Sequence, residues 1–141
     1  AKRARDMADI LGSQIAIIEK QRLGNEDTSL AMNVIGNVDG KTAIIVDDEI
    51  NTGGSVATAA KALEEHGAKE IYCCAVHPVL SGNAPSSLGS SIIKETIVTD
   101  TLPVQPQRHF RGLTVLSVAP LLGEAIHRIH SGLSVGAMFE Q

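Results

Sequence analysis

The stretch Lys41-Thr-Ala-Ile-Ile-Val-Asp-Asp-Glu-Ile-Asn-Thr-Gly-Gly-Ser55 constrains the fold more than any other part of this 141-residue chain. Ala43 to Val46 is an unbroken, branched apolar run, the pattern of a strand buried on both faces of a parallel sheet. Asp47 and Asp48 follow at its carboxyl end. A small-residue loop, Thr52-Gly-Gly-Ser55, comes next, and then a helix-forming run from Val56 to Glu65. Strand, acidic pair, loop and helix in that order predict an α/β domain with a mostly parallel sheet flanked by helices.

The order also carries chemistry. Ligands of open α/β sheets sit beyond the carboxyl ends of the strands. A Thr-Gly-Gly-Ser loop before a helix lets backbone N–H groups, two hydroxyls and the positive end of the helix converge on an anion such as phosphate. Asp47 and Asp48 suit what lies beside it, either sugar hydroxyls or a magnesium ion held through oxygen or water. A phosphate at one end and a diol near the other describe a sugar phosphate. The bland alternative is an ordinary strand-to-helix turn with an Asp or Ser cap; an acidic pair directly after a buried strand favours the ligand. No Gly-Lys-Ser/Thr follows, so this is not a Walker loop, and the three-glycine spacing of a dinucleotide fingerprint is absent.

Composition narrows the classes. The length is that of one domain, able to bury about two thirds of its surface. With 43% hydrophobic and 20% charged residues the chain is globular. Aromatics make up only 2% and the net charge is −4, which argues against stacking on single strands and against general nucleic-acid binding. No apolar run approaches membrane-spanning length and no signal-peptide pattern opens the sequence. Cys73 and Cys74 are adjacent, a poor geometry for a disulfide, and read as reduced thiols of a cytoplasmic protein.

The remaining elements follow from periodicity. Ala4, Met7, Ala8 and Leu11 predict a first helix ending at Gly12; it starts with no capping residue before it, as in a chain cut from a longer one. Gln14 to Ile18 predicts a short strand, with Lys20 and Arg22 on the polar loop beyond it. Leu23 to Ser29 reads as a mobile loop. Leu30 to Ile35 predicts a strand joined to the central one by the hairpin-like turn Gly36–Gly40. Gly67 caps the helix after the central motif. Ile71 to Val76 predicts the next buried strand, with a parallel right-handed crossover between. Short elements follow at 84–91, 94–99 and 113–118, with a last helix at 119–130. His77, at a strand end, reads as a general base, a phosphate ligand or, more commonly, a hydrogen-bonded structural residue. His127 and His130 are three apart near a helix end, where simple capping is favoured over metal.

Val46-Asp-Asp-Glu-Ile-Asn-Thr-Gly-Gly-Ser55 resembles the phosphoribosyl-pyrophosphate motif of type I phosphoribosyltransferase folds, and most closely that of the ribose-phosphate pyrophosphokinase family. The resemblance runs through nearly the whole chain. Lys20-Gln-Arg22 with Asn25-Glu26 is similar to the start of that family's flexible catalytic loop, and His77-Pro-Val-Leu-Ser-Gly-Asn-Ala84 to its His-Gly-x-x-Ser-Gly-Pro-Ala segment. Asp100-Thr-Leu-Pro103 and the tail, residues 131–141, have counterparts as well. The resemblance implies that residues 1–141 form one phosphoribosyltransferase-like domain, the carboxyl-terminal half of a longer enzyme. That enzyme transfers pyrophosphate from ATP to ribose 5-phosphate, giving phosphoribosyl pyrophosphate and AMP for nucleotide biosynthesis, with Mg2+ and as a homo-oligomer. Lys20 and Arg22 are then catalytic, and Asp47, Asp48, Asn51, Thr52, Gly53, Gly54 and Ser55 bind substrate. The family's amino-terminal half supplies much of the ATP site, so this length alone is expected to fold without turning over.

Three departures from the family pattern stand out. Asn51 replaces the motif's third acid, Thr52-Gly-Gly-Ser55 replaces Thr-Ala-Gly-Thr, and Pro78 replaces the Gly after His77. The second keeps hydroxyl and backbone, so phosphate binding survives it. The first leaves room for a non-catalytic regulatory subunit of the same family. A salvage phosphoribosyltransferase is the other alternative, disfavoured by the match outside the motif.

Overall fold

The computed structural model describes residues 2–22 and 30–139, with backbone alone at 20–22, 30 and 31. The first helix, α1 (Lys2–Leu11), forms as its spacing predicts, and the amide of Ser13 closes it by donating to the Ala8 carbonyl at 2.9 Å. Next come β1 (Ile17–Arg22) and β2 (Leu30–Ile35), which pair antiparallel with Ile17 opposite Ile35 and Arg22 opposite Leu30. Two expectations change here. The strand predicted at 14–18 is shifted to 17–22, so Lys20 and Arg22 lie on a strand and not on a loop. Ladder bonds need only backbone N–H and C=O groups, so pairing carries β1 on through Glu19, Lys20, Gln21 and Arg22 although their side chains are polar. The predicted hairpin partner of β2 is also wrong, since β2 pairs with β1 and the turn at 36–40 leads into a different sheet. The expected mobile loop at 23–29 lies outside the described residues.

That second sheet holds β3 (Thr42–Ile50), β4 (Glu70–Pro78), β5 (Glu95–Thr99) and β6 (Leu113–Leu116), all parallel and in sequence order. The mostly parallel α/β class is therefore as predicted. The helix α2 (Gly54–Glu65) crosses from β3 to β4, and α3 (Ala84–Gly89) from β4 to β5. Successive right-handed crossovers in one direction put both helices on one face, and they do pack against each other. Val56, Ala60 and Leu63 of α2 and Ala84 and Leu88 of α3 share one core with Ile71, Cys73 and Ala75 of β4 and Val98 of β5. The alternation along β4, with Ile71, Cys73 and Ala75 buried and Tyr72 and Cys74 less so, records that one-sided cover.

β3 corrects a further expectation. Its apolar run is not buried on both faces: Ala43 and Ile45 pack on the core, while Ile44 on the other face is 43% exposed. Among the described strands β3 is a sheet edge. It also runs past Val46 to Ile50, so the acidic pair lies on the strand. Gly67, in the left-handed region at φ +86, ends α2 and turns the chain into β4, as predicted. Cys73 is buried and Cys74 half-buried, both free thiols; burial pushes the Cys73 thiol up to about 12.

The segment leading into the last helix, α4 (Ala119–His130), is tied to Asp100, whose Oδ1 accepts the Val118 amide at 2.8 Å and whose Oδ2 accepts the Ser117 hydroxyl at 2.7 Å. None of the α4 residues is buried, and Ile126 is 66% exposed. No described helix is long and apolar enough to cross a membrane. The contrast between α2 and α4 sets two expected outcomes for this chain in urea unfolding. Leu63→Ala, at a core position 4% exposed, should cost about 2–5 kcal/mol, whereas Ile126→Ala should change stability by less than about 0.5 kcal/mol. Equal losses at both positions would mean that the α4 face is covered.

Candidate functional site

The carboxyl end of β3 carries the acidic residues in a way the sequence did not suggest. Consecutive strand residues leave opposite faces of a sheet. Asp47 is on the face of Ala43 and Ile45, the α2 side, and Asp48 is on the other. There Arg3 of α1 meets it, Nη1 to Oδ2 at 3.1 Å. The Asp48 amide donates to Asp47 Oδ1 at 2.8 Å, which fixes the Asp47 side chain against its own backbone. The Arg3 guanidinium hydrogen-bonded to Asp48, helped by Asp47 and by backbone N–H donation, holds the Asp48 carboxyl below the ordinary aspartate range.

Past Ile50 the chain turns through Asn51, Thr52 and Gly53 into α2. Gly53 sits at φ +76, and a Cβ there would lie 3.1 Å from Leu88 Cγ. A side chain at this position is strained by backbone and neighbour alike. Gly54 is different: its φ lies outside the left-handed region, and a Cβ would meet only Thr52 Oγ1, at 3.8 Å. Gly53 makes the turn, while Gly54 keeps the outer side of the loop open. Among the described residues no side chain caps α2, so its first-turn N–H groups keep no side-chain acceptor there. The hydroxyls of Thr52 and Ser55 make no hydrogen bond among the described residues.

These features surround a half-open hollow of about 260 Å³ lined by residues 47–53 with Ser55 and Val56. One end offers N–H and O–H donors beside a helix N-terminus. The other offers the carboxylates of Asp47 and Glu49, with Asp48 lining it from the strand's other face, where Arg3 engages it. An anion is attracted to the first end and repelled from the second, and hydroxyls or a hydrated cation suit the carboxylates. No group of three or more His, Cys, Asp and Glu side chains converges among the described residues. Carboxylates at one end of such a hollow suit a magnesium ion held through one or two carboxylate oxygens, water and a substrate's phosphates.

Of the predicted site residues, Asp47, Asp48, Asn51, Thr52, Gly53 and Ser55 meet at this hollow, with Gly54 opening the helix behind it. Lys20 and Arg22 stand on β1 in the separate antiparallel ribbon, and their side chains lie outside the described residues. His77 Nδ1 is 2.9 Å from Thr101 Oγ1, a bond joining the ends of β4 and β5, which fits its structural reading.

Four residues that had no role at the site in the sequence reading take part. Arg3 reaches Asp48, Leu88 backs Gly53, and Leu80 and Ser81 hold the turn from the side. The Leu80 amide donates to the Ile50 carbonyl at 2.9 Å, the Ser81 amide donates to the Asn51 carbonyl at 2.9 Å, and Ser81 Oγ donates to Asn51 Oδ1. For Leu80 and Ser81 the signal in the sequence is the family-like segment 77–84 at the end of a strand next to the central one; for Arg3 and Leu88 there is none.

Comparison with known proteins shows what the chain is similar to. Residues 17–140 match the family model of the phosphoribosyl synthetase-associated domain. The chain is 49% identical over 138 residues to a ribose-phosphate pyrophosphokinase of Oceanobacillus iheyensis, covering 98% of this chain and 43% of that one. With the ribose-phosphate pyrophosphokinase of Bacillus subtilis it shares 47% over 137 residues, again 43% of the relative. The crystal structure of phosphoribosylpyrophosphate synthetase from Mycobacterium smegmatis superposes with a TM-score of 0.83 at 41% identity, over 94% of this chain and 43% of the other. The chain thus spans less than half the length of the relatives it matches.

The Arg3–Asp48 pair gives a measurable outcome. In a carbon-detected NMR titration, Asp48 should titrate below the ordinary aspartate pKa of about 3.9, and Arg3→Ala should move its midpoint up. A carboxyl depressed by folding contributes stability that is present above its unfolded pKa and lost as pH falls through the folded one. The pair should therefore hold α1 on β3 at neutral pH and release only below the ordinary aspartate range. An Asp48 midpoint unaffected by Arg3→Ala would mean that the pair does not form in solution.

Proposed function

This chain belongs to the phosphoribosyl synthetase-associated domain family, and on that premise we propose that it is the ribose 5-phosphate-binding, carboxyl-terminal half of a ribose-phosphate pyrophosphokinase. The observation that carries the reading is the hollow at the end of β3, where hydroxyls and a helix start that have no side-chain partner among the described residues face strand carboxylates. The reaction joins ribose 5-phosphate and ATP to give phosphoribosyl pyrophosphate and AMP, a step of nucleotide biosynthesis. Thr52, Gly53, Gly54 and Ser55 hold the 5-phosphate with amides and hydroxyls. Asp47 takes the ribose hydroxyls and orients the anomeric oxygen toward the β-phosphorus, while Asp48, held by Arg3 on the other face of β3, fixes the strand end beside it. Lys20 and Arg22 stabilise charge developing on the transferred group. Magnesium, when bound, neutralises phosphate charge beside those carboxylates. The other half of the enzyme completes the ATP site. The protein works in the cytoplasm as a homo-oligomer, a setting in which the free thiols of Cys73 and Cys74 persist, with no nucleic-acid or membrane partner.

The non-catalytic alternative rests on Asn51. Its side-chain oxygen accepts the Ser81 hydroxyl, a role an amide fills as well as a carboxylate. The substitution therefore gives little support to a loss of activity.

Two measurements test the proposal. The enzyme containing both halves should form AMP from ATP only when ribose 5-phosphate is present, and Lys20→Ala in it should lower kcat by roughly a hundredfold or more with little change in ribose 5-phosphate binding. In calorimetric titration, Gly54→Val should weaken ribose 5-phosphate binding about tenfold or more, because it places a side chain on the open side of the loop. Its thermal midpoint should move little, since Gly54 needs no left-handed backbone. AMP formation independent of ribose 5-phosphate would contradict the reaction, and unchanged affinity in folded Gly54→Val would contradict the phosphate site.

A further inference from the structure

We propose that Ser81 and Asn51 form a latch that holds the phosphate-binding turn in its binding-ready shape, making Ser81 a positioning residue for the sugar phosphate; this rests on the reading of residues 52–55 as the phosphate site. The starting point is an irregular feature. Leu80 is the one non-glycine residue in the left-handed region among the described residues, at φ +46, and its side chain is 1% exposed. A branched apolar residue adopts that conformation only where its surroundings impose it, and such positions cluster where function needs a fixed shape.

The surroundings show what the strain secures. β3 and β4 pair in parallel up to Ile50 and Pro78, where the two chains would normally part. Instead the connection stays closed. The strained Leu80 turns its amide to the Ile50 carbonyl, and the Ser81 amide goes to the Asn51 carbonyl, both at 2.9 Å. The Ser81 hydroxyl completes the set on Asn51 Oδ1. Two residues on, Gly53 rests against Leu88 of α3, which is 2% exposed. The turn is thus gripped from behind at Ile50, Asn51 and Gly53 by one segment, residues 80–88. Arg108 in turn steadies that segment by donating Nη1 to the Gly82 carbonyl at 2.7 Å.

The side facing the hollow is left free, with the amides of the turn and the Thr52 and Ser55 hydroxyls available. A turn so held loses little freedom when an anion arrives, and the cost avoided appears as affinity. The side-chain bond is the part of the latch that mutation can remove without altering backbone chemistry. It also gives Asn51 a use. An amide oxygen accepts the Ser81 proton without adding a further negative charge to a rim that already holds Asp47, Asp48 and Glu49.

The test uses the 141-residue chain with Ser81→Ala, Asn51→Ala, the double variant and Ser81→Thr, which keeps the hydroxyl. Each is titrated calorimetrically with ribose 5-phosphate and with inorganic phosphate, and amide hydrogen exchange is followed without ligand. Ser81→Ala and Asn51→Ala should each weaken both ligands roughly tenfold, the scale of one hydrogen bond. The double variant should be no weaker than either single one, because the pair acts as a unit. Exchange should quicken at 51–55 in the alanine variants, while Ser81→Thr should match the wild type in both readouts. A purely structural role would lower the melting temperature and leave affinity unchanged, and that result overturns the proposal. Additive losses, or unchanged exchange at 51–55, overturn it too. Wild-type protein that binds neither ligand overturns the sugar-phosphate reading and the positioning role with it; the exchange data alone then show whether the two loops are mechanically joined.

Discussion

The parallel pairing of β3 with β4 is the constraint on which the rest depends. It sets Thr42 opposite Glu70 and Ile50 opposite Pro78, so both strands deliver their carboxyl ends to the same level. The loops that follow are forced side by side, and only there can backbone groups of Ile50 and Asn51 find partners in Leu80 and Ser81. The crossover helix α2 lies over the same pair, with Val56, Ala60 and Leu63 in the core. That burial fixes where α2 begins, and the start of α2 supplies the donors of the hollow. Strand pairing, helix packing and donor placement are thus one arrangement.

Much of this was legible because the relevant signals are local. An apolar run such as Ala43–Val46 reads as a strand, an alanine-rich run after glycines reads as a helix, and Gly67 marks its end. The sequence could not show which strand β2 would choose. That choice is a long-range matter, and β1 is partly polar, with Lys20, Gln21 and Arg22 on the paired strand. It also could not show that β3 reaches Ile50, since Asp47 and Asp48 look like a loop until the ladder to β4 is seen. The Asn51–Ser81 contact joins residues 30 apart, and no pattern within either segment announces it.

The same comparison changes the chemistry assigned to the motif. Read along the chain, Asp47 and Asp48 are a pair and Gly53 and Gly54 are equivalent. In the fold each pair divides. Asp48 is engaged by Arg3 on the face away from α2, whereas Asp47 shares the face of the core-packing residues. Gly53 is required by its backbone and by Leu88, whereas Gly54 is required by neither. Asn51 lines the hollow and also accepts the Ser81 hydroxyl. These assignments follow from strand alternation and backbone angle, which spacing alone does not reveal.

The central claim is that the anion end of a sugar phosphate sits on the turn between β3 and α2. The most direct measurement is an amide-detected NMR titration of this chain with ribose 5-phosphate. The largest shift changes should fall on the amides of residues 52–56, with smaller ones at Asp47 and Asp48. Changes concentrated instead at the second hollow, between Pro78 and Arg108, with residues 52–56 unmoved, would contradict it.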